Sequence, residues 1–210
     1  MSNTALNRTE AYRIPRNIVW HEGLITKLER WTLNGHRSAL VWITGLSASG
    51  KSTIAVGLER LLHMKRVRSY ILDGDNVRHG LNSNLGFSEE DRKENLRRVG
   101  EIAKLFVDAG ILTIASFISP YEQDRDMIRS LFPADEFIEV YLDCDISVCE
   151  ARDPKGFYEK ARKGDIKNFT GISAPYEIPT RPEVIVNTAK MGVEACVEKI
   201  FSFIRAAEIC

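Results

Sequence analysis

The eight residues Gly45-Leu46-Ser47-Ala48-Ser49-Gly50-Lys51-Ser52 satisfy the pattern G-x-x-x-x-G-K-[ST] in full, between an apolar run ending at Thr44 and a stretch with helical periodicity. A strand must deliver the chain into a glycine-rich turn and a helix must leave it, so that backbone amides and the positive end of the helix dipole converge on phosphate oxygens. Lys51 is placed to reach the β and γ phosphates of ATP, and Ser52 to put a hydroxyl on the Mg2+ that bridges them. Gly45, Leu46, Ser47, Ala48, Ser49, Gly50 and Thr53 complete the expected nucleotide-binding segment. A turn that merely joins strand to helix needs neither the lysine nor the hydroxyl.

Around this loop, apolar runs at 39–44, 69–72, 111–116, 137–142 and 183–187 alternate with helical patterns at 51–64, 88–109, 122–132, 146–152 and 193–207. That alternation predicts a five-stranded parallel sheet with helices on both faces, a three-layer α/β/α fold. The second long helix is expected to open with a Ser88-x-x-Asp91 capping box and to close at Gly110. A chain of 210 residues holds one domain. It is expected at 38–210, after an N-terminal arm at 1–37 in which Leu24, Leu28 and Trp31 share a helical face against the body. Lys plus Arg and Asp plus Glu both total 29, and a net charge of zero argues against binding duplex nucleic acid by bulk electrostatics. Residues 1–16 carry no apolar core of a signal peptide and the apolar stretch 110–118 is too short to cross a bilayer, so a cytoplasmic protein without membrane association is expected. Cys144, Cys149, Cys196 and Cys210 lack C-x-x-C spacing, which indicates thiols in a reducing compartment, not a zinc site or a disulfide framework.

The loop alone does not identify what receives the phosphoryl group. In open parallel sheets ligands lie beyond the carboxyl ends of the strands. The second strand runs into Asp73-Gly74-Asp75 with Arg78 three residues on; these can bind magnesium through water, take a proton from a hydroxyl and hold an anion, or form a plain Asp-Gly turn. Arg92, Asn95 and Arg98 recur on one side of the next helix, either as a face for an anionic purine acceptor or as a solvated face with pairs such as Glu94–Arg98. Phe117-Ile118-Ser119-Pro120-Tyr121 brings a hydroxyl and an aromatic to the same end, although a serine before proline also suits a turn. The basic stretch 152–181, with Lys155, Lys160, Arg162, Lys163 and Lys167, suits a mobile lid that excludes water. No separate acid for magnesium is evident, Asp143 being expected to cap the following helix with Asp145. His21, His36, His63 and His79 are scattered and read as structural or exposed.

Taken together, these segments resemble the adenylyl-sulfate kinase (APS kinase) family. The likeness runs from Asn17 onward and rests on the loop at 45–53, Asp73-Gly74-Asp75-Asn76, Leu85-Gly86-Phe87-Ser88, Asp91-Arg92-Lys93-Glu94-Asn95, the 117–121 segment, Asp153-Pro154-Lys155-Gly156, Lys167-Asn168-Phe169-Thr170-Gly171-Ile172 and Pro175-Tyr176-Glu177. The resemblance implies a P-loop kinase fold with a mobile lid, and transfer of the ATP γ-phosphoryl group to the 3′-hydroxyl of adenosine 5′-phosphosulfate. Lys51, Asp73 and Ser119 would be catalytic, Asp73 as magnesium-shell carboxylate with Ser52 or as base. Asp75 would lie beside the acceptor ribose. Arg78, Arg92 and Asn95 would hold phosphosulfate and sugar, with Ile118 and Lys155 at the acceptor. Phe87 and Phe169 would sandwich its adenine, and Arg152 would stack on the adenine of ATP. Ser119 matches a serine described in the family as a phosphoserine intermediate, but a single in-line transfer needs no covalent stop, so acceptor positioning is expected of it. A homodimer and a possible association with ATP sulfurylase are implied as well. The redox cysteine pair of plant members is not expected, since no cysteine precedes Cys144. Another small-molecule P-loop kinase and a non-catalytic ATP-sensing module are the alternative readings.

Overall fold

Leu40–Thr44 (β1) is buried at all five positions and is the strand about which the molecule is built. The computed structural model describes residues 18, 19, 21 and 23–210. Ser69–Asp73 (β2), Leu112–Ser116 (β3), Phe137–Asp143 (β4) and Val184–Asn187 (β5) complete a sheet of order β2-β3-β1-β4-β5. Every pairing is parallel, with Ile43 beside Ser116, Thr44 beside Tyr141 and Asp73 beside Ser116. The strands lie within one residue of the expected bounds; the central β1 and β3 are buried on both faces, and such unbroken apolar runs read clearly.

Alternation along β1 feeds two cores. Val41 and Ile43 pack with Ile54, Leu58 and Leu62 of Lys51–Met64 (α2) and Ile200 and Ile204 of Val193–Ala206 (α7). Leu40 and Trp42 pack with Leu96, Val99 and Ala103 of Glu89–Asp108 (α3) and Ile128 of Glu122–Arg129 (α4). Each fully buried Leu or Ile contributes roughly 1.5–3 kcal/mol. The layers are those expected of the α/β/α fold.

Local details depart from the sequence reading. The Ser88 hydroxyl accepts from Asp91 N at 3.1 Å, but the Asp91 carboxylate accepts from Gly86 N at 3.0 Å, so the box is half formed and the acid tightens the preceding loop instead. Helix α4 stops at Arg129, not at 132; Leu131 and Phe132 amides donate to the carbonyls of Ile128 and Arg129, and Pro133 disfavours a helical residue before it. Lys27–Asn34 (α1) forms through a Thr26/Glu29 capping box, but Leu24 is 97% and Leu28 68% exposed. Trp31 attaches this helix instead: its indole N–H donates to Ser38 Oγ at 2.6 Å, and Arg37 and Lys27 cover its ring, while Lys27 pairs with Glu136. The remainder of the arm, 1–17 with 20 and 22, lies outside the described residues. Asp143 caps nothing: its carboxylate accepts from Asn187 Nδ2 at 2.8 Å, tying β4 to β5, and Asp145, the residue before Ile146–Arg152 (α5), makes no side-chain cap. His36 is structural, Nε2 accepting from Arg68 N at 3.0 Å and Nδ1 donating to Arg37 O; His21, His63 and His79 are exposed. No helix among the described residues is long and apolar enough to cross a membrane.

Gly100 lets α3 approach α4 closely, since a Cβ there would stand 2.6 Å from Ile128 Cδ1 and 3.0 Å from Leu131 Cδ1. Gly100→Ala is expected to destabilise the domain by about 1–2 kcal/mol, overpacking outweighing the helix-propensity gain of about 1 kcal/mol. Calorimetry checks this as a lowered Tm.

Candidate active site

The glycine loop leaves β1 at Thr44 and enters α2 through Gly50, whose φ of 98° is open to glycine at little cost. No side chain caps α2, so the amides of its first turn remain for an anion. The Lys51 ammonium donates to the carbonyls of Leu46 at 2.7 Å and Gly45 at 3.1 Å. Loss of hydration lowers its pKa to about 8, against the pull of Asp73 and Asp75. A phosphate oxygen in the loop would compete with those carbonyls for the cation.

At the end of β2, Ser52 Oγ donates to Asp73 Oδ2 at 2.8 Å, and the other carboxylate oxygen accepts from Asp75 N at 3.0 Å. Two hard oxygen donors beside a triphosphate loop fit magnesium, which keeps waters and phosphate oxygens as its other ligands. Asp75 is exposed and ion-paired with Lys155 from the 152–181 segment, which therefore reaches the loop after β2. That segment is not an irregular loop. It contains Phe157–Lys163 (α6), whose first amides, Phe157, Tyr158 and Glu159, donate to the Asp153 carboxylate.

Tyr158, which the sequence did not single out, is the segment's anchor: buried, it donates to Ser47 O at 3.0 Å and meets Phe169 edge to face at 5.0 Å. Cys144, Cys149, Tyr158, Ala161 and Phe169 form a third small core against Leu46, Ala48 and Ile172. Burial, with a hydrogen bond to Cys144, pushes the Cys149 thiol up to about 12. Arg152 donates to Thr188 O at 2.6 Å, and Thr188 Oγ1 donates to Ser49 O at 2.8 Å, so Arg152 is tied to the phosphate loop through one residue.

On the β2–β3 side, Arg78 donates to Leu85 O and Gly86 O and lies 4.5 Å over the ring of Phe87, which is 70% exposed. Arg92 donates to Phe87 O at 3.0 Å, Asn168 O at 3.1 Å and Thr170 Oγ1 at 3.3 Å. It joins the Phe87 loop to the Phe169 segment. Two expected acceptor groups are held by other partners. Asn95 is buried and its Oδ1 accepts from Asn82 Nδ2 at 2.9 Å; Arg98 serves Glu94 and the 81–84 loop. Helical spacing puts Arg92, Asn95 and Arg98 on neighbouring faces, but only Arg92 reaches the 168–170 segment. Glu94, held down to about 2 by hydrogen bonds from Arg97 and Arg98, forms the expected solvated pair.

Ser119 is buried at 3% exposure, and its hydroxyl is committed. Thr44 Oγ1 donates to Ile118 O at 2.7 Å, which leaves it to accept from Ser119 Oγ at 3.0 Å and from Tyr176 Oη at 2.9 Å; Trp42 Nε1 donates to Ser119 Oγ at 3.0 Å. The serine proton thus points to the Thr44 hydroxyl. Beyond Leu46, a cleft of about 650 Å³ runs between Tyr141, Asp145, Gly171 and Tyr176.

Phosphate loop, Ser52–Asp73 contact and basic cover lie together at the carboxyl end of the sheet, and the model of the family described as adenylylsulphate kinase matches residues 37–187. The chain belongs to the adenylylsulphate kinase family. A probable adenylyl-sulfate kinase of Halalkalibacterium halodurans is 58% identical over 192 residues, covering 91% of this chain and 95% of the relative. An adenylyl-sulfate kinase of Geotalea daltonii is 57% identical over 189 residues, with 90% and 93% covered. Among solved structures, the APS kinase CysC of Mycobacterium tuberculosis in complex with AMPPNP and APS superposes with a TM-score of 0.77 at 43% identity, over 81% of this chain and 99% of that one.

Lys51 yields a pH-dependent expectation. Phosphate charges favour the ammonium, so the bound-state pKa lies above the free value of about 8. Binding of a nucleoside triphosphate should therefore take up protons once the pH exceeds that value, and affinity should fall as pH rises, by up to about tenfold per unit. Calorimetry at pH 8.5 in two buffers of different ionisation enthalpy reads the uptake; zero uptake contradicts it.

Proposed function

We infer that this chain is an ATP-dependent phosphotransferase that moves the γ-phosphoryl group of ATP to the 3′-hydroxyl of adenosine 5′-phosphosulfate, giving 3′-phosphoadenosine 5′-phosphosulfate and ADP. The observation that carries the reading is the 2.8 Å contact between Ser52 and Asp73. It joins the triphosphate loop to the loop after β2, which supports donor and acceptor meeting in one crevice. On this reading the loop 45–53 holds the phosphates, Lys51 neutralises charge on the transferring oxygens and Arg152 covers the adenine of ATP. Ser52 and Asp73 would hold magnesium, which when bound supplies neutralisation of the β and γ oxygens. Of the two roles open to Asp73, its contact with Ser52 supports this one. Asp75, two residues on and exposed, is then the carboxylate beside the acceptor ribose, able to take the hydroxyl proton. Its ion pair with Lys155 supports the segment 152–181 acting as the lid.

Arg78, Arg92, Phe87, Phe169, Ile118 and Ser119 form the proposed acceptor side. Asn95 acts behind it, steadying Asn82 below the loop that carries Phe87. Ser119 is proposed to shape the floor without forming a covalent intermediate. Three buried, unpaired cysteines, Cys144, Cys149 and Cys196, are consistent with a reducing cytoplasm. Pairing of two copies and association with an ATP sulfurylase complete the proposal.

The deciding experiment is ADP release with adenosine 5′-phosphosulfate against a panel of nucleotide and polyol acceptors. Acceptor-dependent release with the phosphosulfate alone is expected; release independent of acceptor, or with another acceptor only, overturns the reading. Lys51→Ala should lose well over tenfold in rate, each tenfold being about 1.4 kcal/mol. Asp73→Asn should depress kcat and raise the magnesium requirement while ATP binding without turnover persists. Ser119→Ala should lose on the order of tenfold in kcat/KM and still turn over. Rapid-quench capture of a competent phosphoryl-Ser119, with an inactive alanine variant, would overturn that role.

A further inference from the structure

Arg125, one turn into α4, is 2% exposed, and its guanidinium meets three separate elements. Nη1 donates to Ser119 O at 2.7 Å, Nη2 donates to Glu177 O at 2.8 Å, and Nε pairs with Glu139 Oε1 of β4 at 2.9 Å. The cation also lies 5.9 Å from the ring of Tyr176. A buried ion pair is a poor device for stability alone, because well-packed apolar side chains do as well or better. A three-way fork that fixes two backbone carbonyls is a device for geometry.

The geometry so fixed is unusual. Ser119 has φ of 38° although it is not glycine and stands before Pro120, where extended conformations are preferred. Such backbone persists only where its surroundings over-determine it. Thr44 pins the Ile118 carbonyl from one side and Arg125 pins the Ser119 carbonyl from the other. The strap at 171–178 is joined to the same turn, Glu177 N donating to Pro120 O at 2.8 Å and Glu177 Oε2 accepting from Glu122 N at 2.6 Å at the start of α4.

We propose that Arg125 is a positioning residue for acceptor binding, which makes the 118–119 turn and the 171–178 strap one rigid unit without touching either substrate. The proposal rests on the reading above that Ile118 and Ser119 border the acceptor. Lysine at this position keeps a cation opposite Glu139 but, as a point charge, cannot span both carbonyls.

The test is steady-state kinetics with adenosine 5′-phosphosulfate and ATP varied in turn, together with Tm, on Arg125→Lys, Glu139→Gln and Ile118→Ala. Arg125→Lys is expected to raise KM for the acceptor about tenfold and leave KM for ATP within about twofold. Glu139→Gln keeps both carbonyl bonds, so it should lower Tm and leave the acceptor KM within about threefold. An Arg125→Lys variant that changes Tm alone, or raises both KM values equally, overturns the proposal. If it does not fold, Arg125→Gln, whose amide reaches one carbonyl, takes its place; failure of both to fold assigns the arginine to the fold and overturns the proposal. Ile118→Ala separates the two layers of inference. A raised acceptor KM in Ile118→Ala with Arg125→Lys silent removes Arg125 alone, and silence in both removes the acceptor reading too.

Discussion

One hydroxyl, Thr44 Oγ1, holds the carboxyl end of the sheet together. It stands where the central strand gives way to the phosphate loop, donates to Ile118 O and accepts from Ser119 and Tyr176. Two elements far apart in sequence, the 118–119 turn and the strap that carries Tyr176, are thereby referred to the residue that precedes Gly45. Water is largely shut out of this cluster, and a partner lost there leaves a desolvated polar group, at a cost of about 1–3 kcal/mol. The exact course of the turn at 118–119, and of the strap above it, follows from that threonine and from the buried cation beside it.

The sequence made the phosphate loop plain because its chemistry is local: glycines, a lysine and a hydroxyl within eight residues leave few other uses. The strands were legible for a related reason, since burial on both faces demands unbroken apolar runs such as Leu40-Val41-Trp42-Ile43. What the sequence did not disclose was direction. Ser119 and Asn95 sit in the right segments, yet the serine faces Trp42 and Thr44 and the asparagine faces Asn82, and nothing in a linear motif says to which side of a turn or helix a short polar side chain looks. Arg125 and Tyr158 were missed because their partners are backbone carbonyls on distant elements, which leave no trace in residue type. Helix α6 was missed because its start is set by Asp153, four residues ahead of Phe157, in a stretch whose charges read as a solvated loop. Leu24 and Leu28 misled in the opposite way: their spacing is helical, but only Trp31 found a surface to pack on.

The small core beneath the basic cover joins the phosphate loop to the proposed acceptor side. Phe169 and Thr170 meet Tyr158 and Arg92, while Tyr158 reaches Ser47 in the phosphate loop. The link runs through packed side chains and two hydrogen bonds.

The environment of the cysteines has a chemical consequence. A thiol is attacked by electrophiles as its thiolate, and Cys149, enclosed and titrating only near 12, offers almost none at neutral pH. Cys144 and Cys196 are enclosed as well, which leaves Cys210, exposed beyond the end of α7, as the accessible thiol among the four. A maleimide or iodoacetamide reagent should therefore mark the folded chain at Cys210 without any engineered cysteine, and the loss of that selectivity would report loosening of the cores that enclose the other three thiols.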